Sequence, residues 1–471
     1  MRRPNVLFIT LDQFRGDALS CAGHPVVRTP NLDALASAGV RLARHYSQAA
    51  PCSPGRAALY TSTYQMTNRV VANGTPLDDR FDNLARVARR AGYEPALFGY
   101  TDQGVDPRLV DDPADPRLST YEGVLPGFDA VLDLREDVHE WRHWMAVEHG
   151  IDTTSARQAL CSEDRRPTAL SISTFLTERL LDWLREAQET ATATGEPWFA
   201  HASYLRPHPP FVAAGDFATM YDPMQCGEPI AAGTDRDPLH ELALQVPSLA
   251  APADPAAMGA IRAQYFGMIS EVDAQLGRLW AFLRDAGAWN DTVVVVTSDH
   301  GEQLGDQGLL HKLGHFESSY HVLGIVRDPR RAQAHGRSSS GSPRTSTSCR
   351  RCVSSSGWPC QGSATAFRSR RSWTASSRLR GVMPRTTSST GVTCCSPASR
   401  STTRGTVAST TPTSPCAGRP TGPSCTSAMA PRVATTWRPT RRGARWSPTR
   451  RSCSPRPPRC STGAPATSTA R

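Results

Sequence analysis

Short apolar runs alternate with segments of helical periodicity along the first three hundred or so positions of the chain. The runs cover residues 5–11, 95–101, 198–204 and 291–297, and the last of them contains four consecutive valines. Uninterrupted apolar runs of this length are typical of strands that are buried on both faces of a parallel sheet. Strands alternating with helices predict an α/β fold with a central, mostly parallel sheet between helices.

The predicted helices carry start and stop signals. One follows Thr29, an N-cap type of residue, has Pro30 at its first position and stops at Gly39. Others are predicted near residues 84–92, 169–189 and 256–286. Residues 103–168 are rich in Asp, Pro and Arg and are predicted to be a loop-rich insertion.

That insertion contains the segment His139-Glu140-Trp141-Arg142-His143, which matches the His-Glu-x-x-His pattern of zinc proteases. No third ligand is evident, and the flanking residues are polar and aromatic. A surface segment is therefore the preferred interpretation.

The segment Cys52-Ser53-Pro54-Gly55-Arg56 is predicted to pass from loop to helix at Pro54, since proline is favoured at the first helical position. Cys52 then lies just before a helix N-terminus, where free amides and the helix dipole favour an anion. Arg56 lies four residues on, on the same face. These groups together suit nucleophilic attack on sulfate or phosphate. A buried cysteine beside a helix cap is the structural alternative.

Polar residues follow two of the predicted strands. Asp12 and Gln13 follow the first run, and Asp299 and His300 follow the run of valines. Open α/β sheets bind ligands at the carboxyl ends of their strands. A carboxylate and an imidazole suit calcium or manganese. The alternatives are a helix or turn cap at Asp12 and a hydrogen-bonded strand end at Asp299.

Five further positions are candidates for the same site. Asn73 precedes a turn, Tyr100 and Asp102 lie at the end of the second run, and His208 lies in a loop flanked by prolines. Lys312 is the only lysine in the sequence. A lone lysine near a candidate metal site indicates a task that needs a compact point charge, and chance is the alternative.

Charge divides the chain into two parts. The whole sequence has a net charge of +10, but residues 331–471 contain 24 Arg and no Asp or Glu. Residues 1–330 therefore hold 29 basic and 43 acidic side chains, a net charge of −14. The acidic part is predicted to be the catalytic domain, with its boundary at residue 336.

The C-terminal part, residues 337–471, has the composition of a chain that does not fold by itself. Leu, Ile, Val and Phe together number seven in residues 331–471, too few to offset the entropy of ordering. A basic arm for nucleic acid and a low-complexity linker are two interpretations. The preferred one is a shifted reading frame in a gene rich in G and C.

Cysteine usage and the N-terminus bear on location. Nine of the 13 cysteines lie in the C-terminal part, and the remainder are Cys21, Cys52, Cys161 and Cys226. Such sparse cysteines fit a reduced compartment. The apolar run at residues 6–9 is too short for a signal peptide, and no stretch is long enough to span a bilayer. The prediction is a soluble cytoplasmic protein without a membrane or nucleic-acid partner.

Residues 4–330 resemble the sulfatase family of the alkaline phosphatase superfamily, and within it the phosphonate monoester hydrolase branch. The resemblance rests on the order and spacing of several motifs. These are Leu11-Asp12-Gln13, Thr29-Pro30-Asn31-Leu32-Asp33, Cys52-Ser53-Pro54-Gly55-Arg56-Ala57, Asn73, Gly99-Tyr100-Thr101, the segment 204–211 around His208, and Thr297-Ser298-Asp299-His300-Gly301-Glu302 with the residues up to Asp306. The implied fold is the alkaline phosphatase-like sandwich, and the family's small C-terminal subdomain is expected to be absent because nothing in residues 337–471 resembles it.

The resemblance also implies chemistry for these residues. Cys52 would be oxidised to formylglycine by a formylglycine-generating enzyme, and its hydrate would attack sulfur or phosphorus in two steps. One divalent ion, calcium or manganese, would be bound by Asp12, Asp299, His300 and the hydrate, with Gln13 as a further ligand. The other implied roles are transition-state stabilisation by Arg56, contacts to the oxyanion or leaving oxygen by Lys312 and His208, and pocket lining by Asn73 and Tyr100.

Two departures from the family pattern bear on the substrate. Many sulfatases carry a second Asp where this chain has Gln13, and a lysine where it has Tyr100, which favours the phosphonate branch. Asp102 replaces a threonine of that branch and could act as a base or repel a dianion. The hypothesis is a hydrolase of small sulfate esters or phosphonate and phosphate mono- and diesters, which also forms a homo-oligomer. The alternative is a non-catalytic, truncated or frame-shifted product.

Overall fold

The structure, a computed structural model, describes residues 3–120, 122–135 and 137–339. All of them belong to one compact unit, residues 1–369. The prediction of a disordered, frame-shifted segment over 337–471 lies, beyond Ser339, outside the described residues. Arg337–Ser339 form a short strand that belongs to the sheet, so regular structure continues past the predicted boundary at residue 336.

In the described part of the chain, eight strands form one sheet. The strands are β1 (Asn5–Leu11), β2 (Val40–Leu42), β3 (Pro95–Gly99), β4 (Asp129–Asp133), β5 (Phe199–Tyr204), β6 (Thr292–Thr297), β7 (Gly324–Arg327) and β8 (Arg337–Ser339). The α-helices are α1 (Pro30–Ser37), α2 (Cys52–Thr61), α3 (Gln65–Asn68), α4 (Leu84–Arg90), α5 (His139–His149), α6 (Ala156–Leu160), α7 (Ile172–Thr194), α8 (Pro238–Leu244), α9 (Pro255–Asp285) and α10 (Glu317–Tyr320).

The sheet order is β4-β3-β5-β1-β6-β7-β2-β8. Five adjacent strands, β4, β3, β5, β1 and β6, run parallel to one another. The next strand, β7, runs antiparallel to both β6 and β2. The predicted α/β fold with a mostly parallel central sheet is confirmed. Because β1 lies between β5 and β6, the carboxyl ends of these three strands meet at one edge of the sheet.

Both faces of the sheet are buried, which explains the uninterrupted apolar runs. Leu7 and Ile9 of β1 pack in one hydrophobic cluster with residues of α7 and α9. Val6 and Phe8 belong to a second cluster with residues of α2 and α4. Successive side chains of a strand point to opposite faces, so a strand covered by helices on both sides is apolar at most of its positions.

Two local predictions differ from the structure. The helix predicted to begin at Pro54 begins at Cys52, because the carbonyl oxygen of Pro51 already accepts the N–H of Gly55 at 3.0 Å. Pro54 is still in the first turn, where its missing N–H has no partner to lose. The stretch predicted as a loop-rich insertion contains β4, which pairs with β3, and α5, which buries Trp141.

Within the described residues, no helix combines the length and the apolar character that a membrane crossing requires.

Candidate active site

Two acidic residues lie at the carboxyl ends of neighbouring strands. Asp12 follows β1 directly, and Asp299 follows β6 after one intervening residue. Because β1 and β6 are parallel and paired along their length, both carboxylates project from the same edge of the sheet. Both side chains are buried.

Arg56 supplies the positive charge between these carboxylates. Its Nε donates to Asp299 Oδ2 at 2.9 Å, and its Nη2 donates to Asp12 Oδ2 at 3.0 Å. Its Nη1 donates to the hydroxyl of Ser203, on β5, at 2.8 Å. Burial opposes the charge, but Asp299 and its neighbours outweigh burial and raise the pKa of Arg56. A buried guanidinium that is paired and hydrogen-bonded in this way is tolerated.

Helix α2 can approach the sheet edge because Gly55 has no side chain. A Cβ at this position would lie 2.6 Å from the carbonyl oxygen of Asp299 and 3.0 Å from that of Ala49. The close contact holds the first turn of α2 against the residues that follow β6. Glycine is therefore required here for packing.

Cys52 occupies the first position of α2 and is buried. Its Sγ lies 3.2 Å from His300 Nε2. Burial and the negative charge of Asp12 raise the pKa of the thiol well above 9.0, so the unmodified side chain is a neutral thiol. The next amide, that of Ser53, donates to Asn73 Oδ1 at 3.0 Å, so Asn73 satisfies a free amide of the first turn.

Four buried side chains offer ligand atoms to a cation. One atom from each of Asp12, Cys52, Asp299 and His300 lies within 4.8 Å of the others. Asp12 Oδ1 is buried and has no hydrogen-bond partner among the described residues, which is costly unless a ligand satisfies it. His300 Nδ1 donates to the carbonyl oxygen of Gly301 at 3.1 Å, which leaves Nε2 as an acceptor within the cluster. The residues present therefore fit a divalent cation.

Gln13, Lys312 and His208 form a hydrogen-bonded group beside this cluster. Lys312 Nζ donates to Gln13 Oε1 at 2.7 Å and to His208 Nε2 at 3.1 Å. His208 Nδ1 donates to the carbonyl oxygen of Pro209 at 2.7 Å. Burial and the charge of Lys312 lower the pKa of His208 to about 3, so this imidazole is neutral at physiological pH. Burial opposes the charge of Lys312, but the surrounding acidic groups raise its pKa.

Tyr100 and Asp102 both contact Arg56. The Tyr100 hydroxyl donates to Asp12 Oδ2 at 2.7 Å, and the Arg56 guanidinium carbon lies 4.4 Å from the centre of the Tyr100 ring. Asp102 Oδ2 lies 3.5 Å from Arg56 Nε. Burial raises the pKa of Asp102 well above 3.8, although Arg56 opposes the shift.

A pocket of about 190 Å³ opens over these groups. Its polar lining comes from Asp12, Cys52, Asn73, Tyr100, Asp102, Glu122, His208 and Lys312. Its apolar lining comes from Leu134, Val138, Leu160, Leu205 and Pro209. The pocket thus combines charged side chains with an apolar wall formed by these five residues.

The structure brings all of the candidate residues from the sequence together. Arg56, Gln13, Asp299 and His300 contact the lining residues. Sequence reasoning missed the apolar wall and Glu122, because they come from the stretch of irregular composition at 103–168 and from loops. It also missed Ser203, since a serine in an apolar strand carries no distinguishing signal.

The His-Glu-x-x-His segment does not form a second metal centre. His139 and His143 lie exposed on α5 with stacked rings 5.8 Å apart. In the described ranges, the only group of three or more acidic, His or Cys side chains close enough to hold a metal is the one at Asp12.

Carboxylates at parallel strand ends, an arginine between them and a cysteine on the adjoining helix define a hydrolase of the alkaline phosphatase superfamily. Residues 4–347 match the protein-family model described as Sulfatase. The chain belongs to the sulfatase family. Its relatives and similar structures are hydrolases of ester bonds, and so is this protein.

Two curated relatives illustrate the range of the family. The multifunctional alkaline phosphatase superfamily protein PehA of Trinickia caryophylli is 35% identical over 361 residues, covering 70% of this chain and 69% of the relative. An arylsulfatase of Clostridium perfringens is 24% identical over 344 residues, covering 69% of each.

Two solved structures share the fold. The phosphonate monoester hydrolase of Agrobacterium radiobacter superposes with a TM-score of 0.69 at 41% identity, covering 75% of this chain and 74% of that one. The phosphonate monoester hydrolase of Silicibacter pomeroyi gives 0.66 at 33% identity, with 76% and 74% covered. The phosphonate monoester hydrolases are thus among its similar structures.

Proposed function

We propose that the chain hydrolyses sulfate esters or phosphonate and phosphate mono- and diesters, with a formylglycine made from Cys52 as nucleophile and one divalent ion bound beside it. The observation that carries this proposal is the buried cluster of Asp12, Cys52, Asp299 and His300. Two of its members, Asp12 and Cys52, line a pocket large enough for a small ester.

The chemistry of the donor set supports conversion of Cys52. Calcium and manganese prefer oxygen ligands, whereas a thiol is a soft ligand. The other acidic members of the cluster, Asp12 and Asp299, already offer oxygen. Conversion of the cysteine to formylglycine would replace the sulfur by oxygen, addition of water to the aldehyde would supply the attacking hydroxyl, and the cation would supply Lewis acidity.

The protein's own residues hold this arrangement in place. Arg56 and the Tyr100 hydroxyl both donate to Oδ2 of Asp12, which leaves Oδ1 for the cation. Lys312 Nζ has three N–H donors, of which Gln13 and His208 accept two. The third is available to a substrate oxyanion in the pocket that Lys312 lines, where it stabilises developing negative charge.

The apolar wall accommodates the organic group of the substrate. Leu134, Val138, Leu160 and Leu205 line the pocket and offer no hydrogen-bonding side chain to a sugar hydroxyl. We therefore propose small esters with an apolar or aromatic leaving group. The names of the two similar structures, phosphonate monoester hydrolases, support phosphonate esters among the substrates.

The proposal is tested on the full chain produced with a formylglycine-generating enzyme. Mass spectrometry of the Cys52 peptide should find an aldehyde, while the peptide of Cys226, another buried cysteine, should keep its thiol. Turnover of an aryl sulfate and of a phenyl phosphonate ester should then be measurable. It should disappear on chelation and return with calcium or manganese.

The Cys52→Ala and Cys226→Ala variants are the matched controls. Turnover should be lost only in the first. A thiol that persists at Cys52 with no turnover of either ester would instead support the alternative, a non-catalytic product of a sulfatase-family gene.

A further inference from the structure

Glu302 is buried beyond the end of β6 and makes three hydrogen bonds that the roles above do not use. Its Oε1 accepts the backbone N–H of Leu304 at 2.8 Å and that of His311 at 2.6 Å. Its Oε2 accepts from Gln13 Nε2. Its two oxygens therefore have separate tasks, one toward the backbone and one toward a side chain of the site.

The chain of side chains Lys312, Gln13 and Glu302 has a fixed hydrogen-bond direction. A lysine ammonium only donates and a carboxylate only accepts. The Gln13 amide lies between them and presents Oε1 to Lys312 and Nε2 to Glu302. If the amide turned over, its NH₂ would face the ammonium and its oxygen would face the carboxylate.

Glu302 also holds the backbone next to the lysine, since His311 directly precedes Lys312. The carboxylate thus acts on Lys312 from two directions: through the Gln13 amide that accepts from Nζ, and through the His311 amide. Lys312 lines the pocket, whereas Glu302 is not one of the residues that line it.

We propose that Glu302 is a positioning residue, which fixes the orientation of the Gln13 amide so that Lys312 Nζ is held toward the substrate oxyanion. The inference rests on the proposed function for the role of Lys312. The hydrogen-bond pairing itself is independent of that function.

The first test is the Glu302→Gln variant of the full chain. A glutamine keeps an oxygen for the amides of Leu304 and His311 but presents an NH₂ to the NH₂ of Gln13. We expect kcat/KM for a phenyl phosphonate ester to fall about 10- to 100-fold, the rate equivalent of one unsatisfied buried group, with a lower melting temperature. A purely structural role through Oε1 predicts unchanged kinetics.

The second test is the reciprocal swap Gln13→Glu with Glu302→Gln. The new carboxylate at position 13 accepts from Lys312 and from the new amide at position 302, so every hydrogen bond is restored at the same total charge. We expect each single variant to lower the melting temperature, and the double variant to recover most of that loss.

Asp273→Asn is the matched control. Asp273 is another buried carboxylate that accepts backbone amides, those of Asn31 and Leu32, and it lies on α9 away from the pocket. Its variant should change the melting temperature and leave kcat/KM within about twofold.

The outcomes separate this inference from the proposed function. Unchanged kinetics in Glu302→Gln, or a swap no better than the single variants, overturns the positioning role. If the unaltered protein cleaves no ester, the proposed function fails. In that case the melting temperatures of the two single variants and of the double variant still test the hydrogen bond between Gln13 and Glu302. If the loss in the double variant equals the sum of the two single losses, that pairing is overturned.

Discussion

Arg56 allows a quantitative prediction, because it is the common partner of two buried carboxylates. The side chains of Asp12 and Asp299 are 2% and 0% exposed. Arg56→Ala leaves both without their cation. Breaking a buried ion pair by removing one partner costs about 3–5 kcal/mol. For a domain of this size we expect the melting temperature to fall by roughly 4–7 °C.

The pH dependence of this loss follows from Asp12. Burial raises the pKa of Asp12, but the positive charges around it, Arg56 among them, lower it below 3.8. A carboxyl group with a lowered folded-state pKa stabilises the protein above its unfolded-state pKa of about 4 and loses that contribution on acidification. The difference between the unaltered protein and Arg56→Ala should therefore stay nearly constant from pH 7 down to about pH 4 and shrink as the pH falls further.

The assay is thermal unfolding followed by circular dichroism from about pH 2 to 7, in the presence of a chelator. Arg90→Ala is the control, since Arg90 pairs with Asp82 and both side chains are more than half exposed, 61% and 51%. Exposed pairs contribute about 0–1 kcal/mol. Equal melting temperatures for the two variants at pH 7 would refute the view that Arg56 compensates buried charge.

Two further predictions concern the scaffold. Gly55→Ala places a Cβ 2.6 Å from the Asp299 carbonyl oxygen, so turnover and melting temperature should both fall. The control is Gly233→Ala, whose Cβ meets no atom within 4 Å and which should change neither quantity. A stable and active Gly55→Ala variant would contradict the packing argument. Burial lowers the pKa of His201 to about 3, so below about pH 6.5 the unfolded chain binds a proton that the folded protein excludes, and stability should fall by about 1.4 kcal/mol per pH unit down to pH 3. His201→Gln should remove this contribution in urea unfolding at pH 5, 6 and 7, and an unchanged slope would count against it.

The central part of the fold could be predicted from sequence because its strands are buried on both faces. The polar residues within β1 and β6 are few and uncharged, and the first charged residues after them, Asp12 and Asp299, mark where the strands end. Parallel pairing then brings those ends together without any further information. Several helices could also be predicted, because their capping residues and prolines are signals within the local sequence.

The remainder depends on contacts between residues distant in sequence. The apolar wall of the pocket comes partly from Leu134, Val138 and Leu160, within a stretch whose composition indicated loops. The first turn of α2 depends on the Pro51 carbonyl oxygen, which a proline-based rule does not capture. Glu302 was visible within a motif, but its link to Lys312 through Gln13 exists only once three separate segments have folded together.

Lys312 is the single lysine of this sequence and lines the pocket, which makes the protein unusually simple to probe with amine chemistry. Apart from the amino terminus, an amine-reactive reagent has one target. A substrate analogue in the pocket should shield that target, so the labelling rate measures occupancy without any turnover, even in Cys52→Ala. After denaturation, a lysine-specific endoprotease cuts only chains that escaped labelling, and only at one place. The ratio of cut to intact chain then counts the protected pockets.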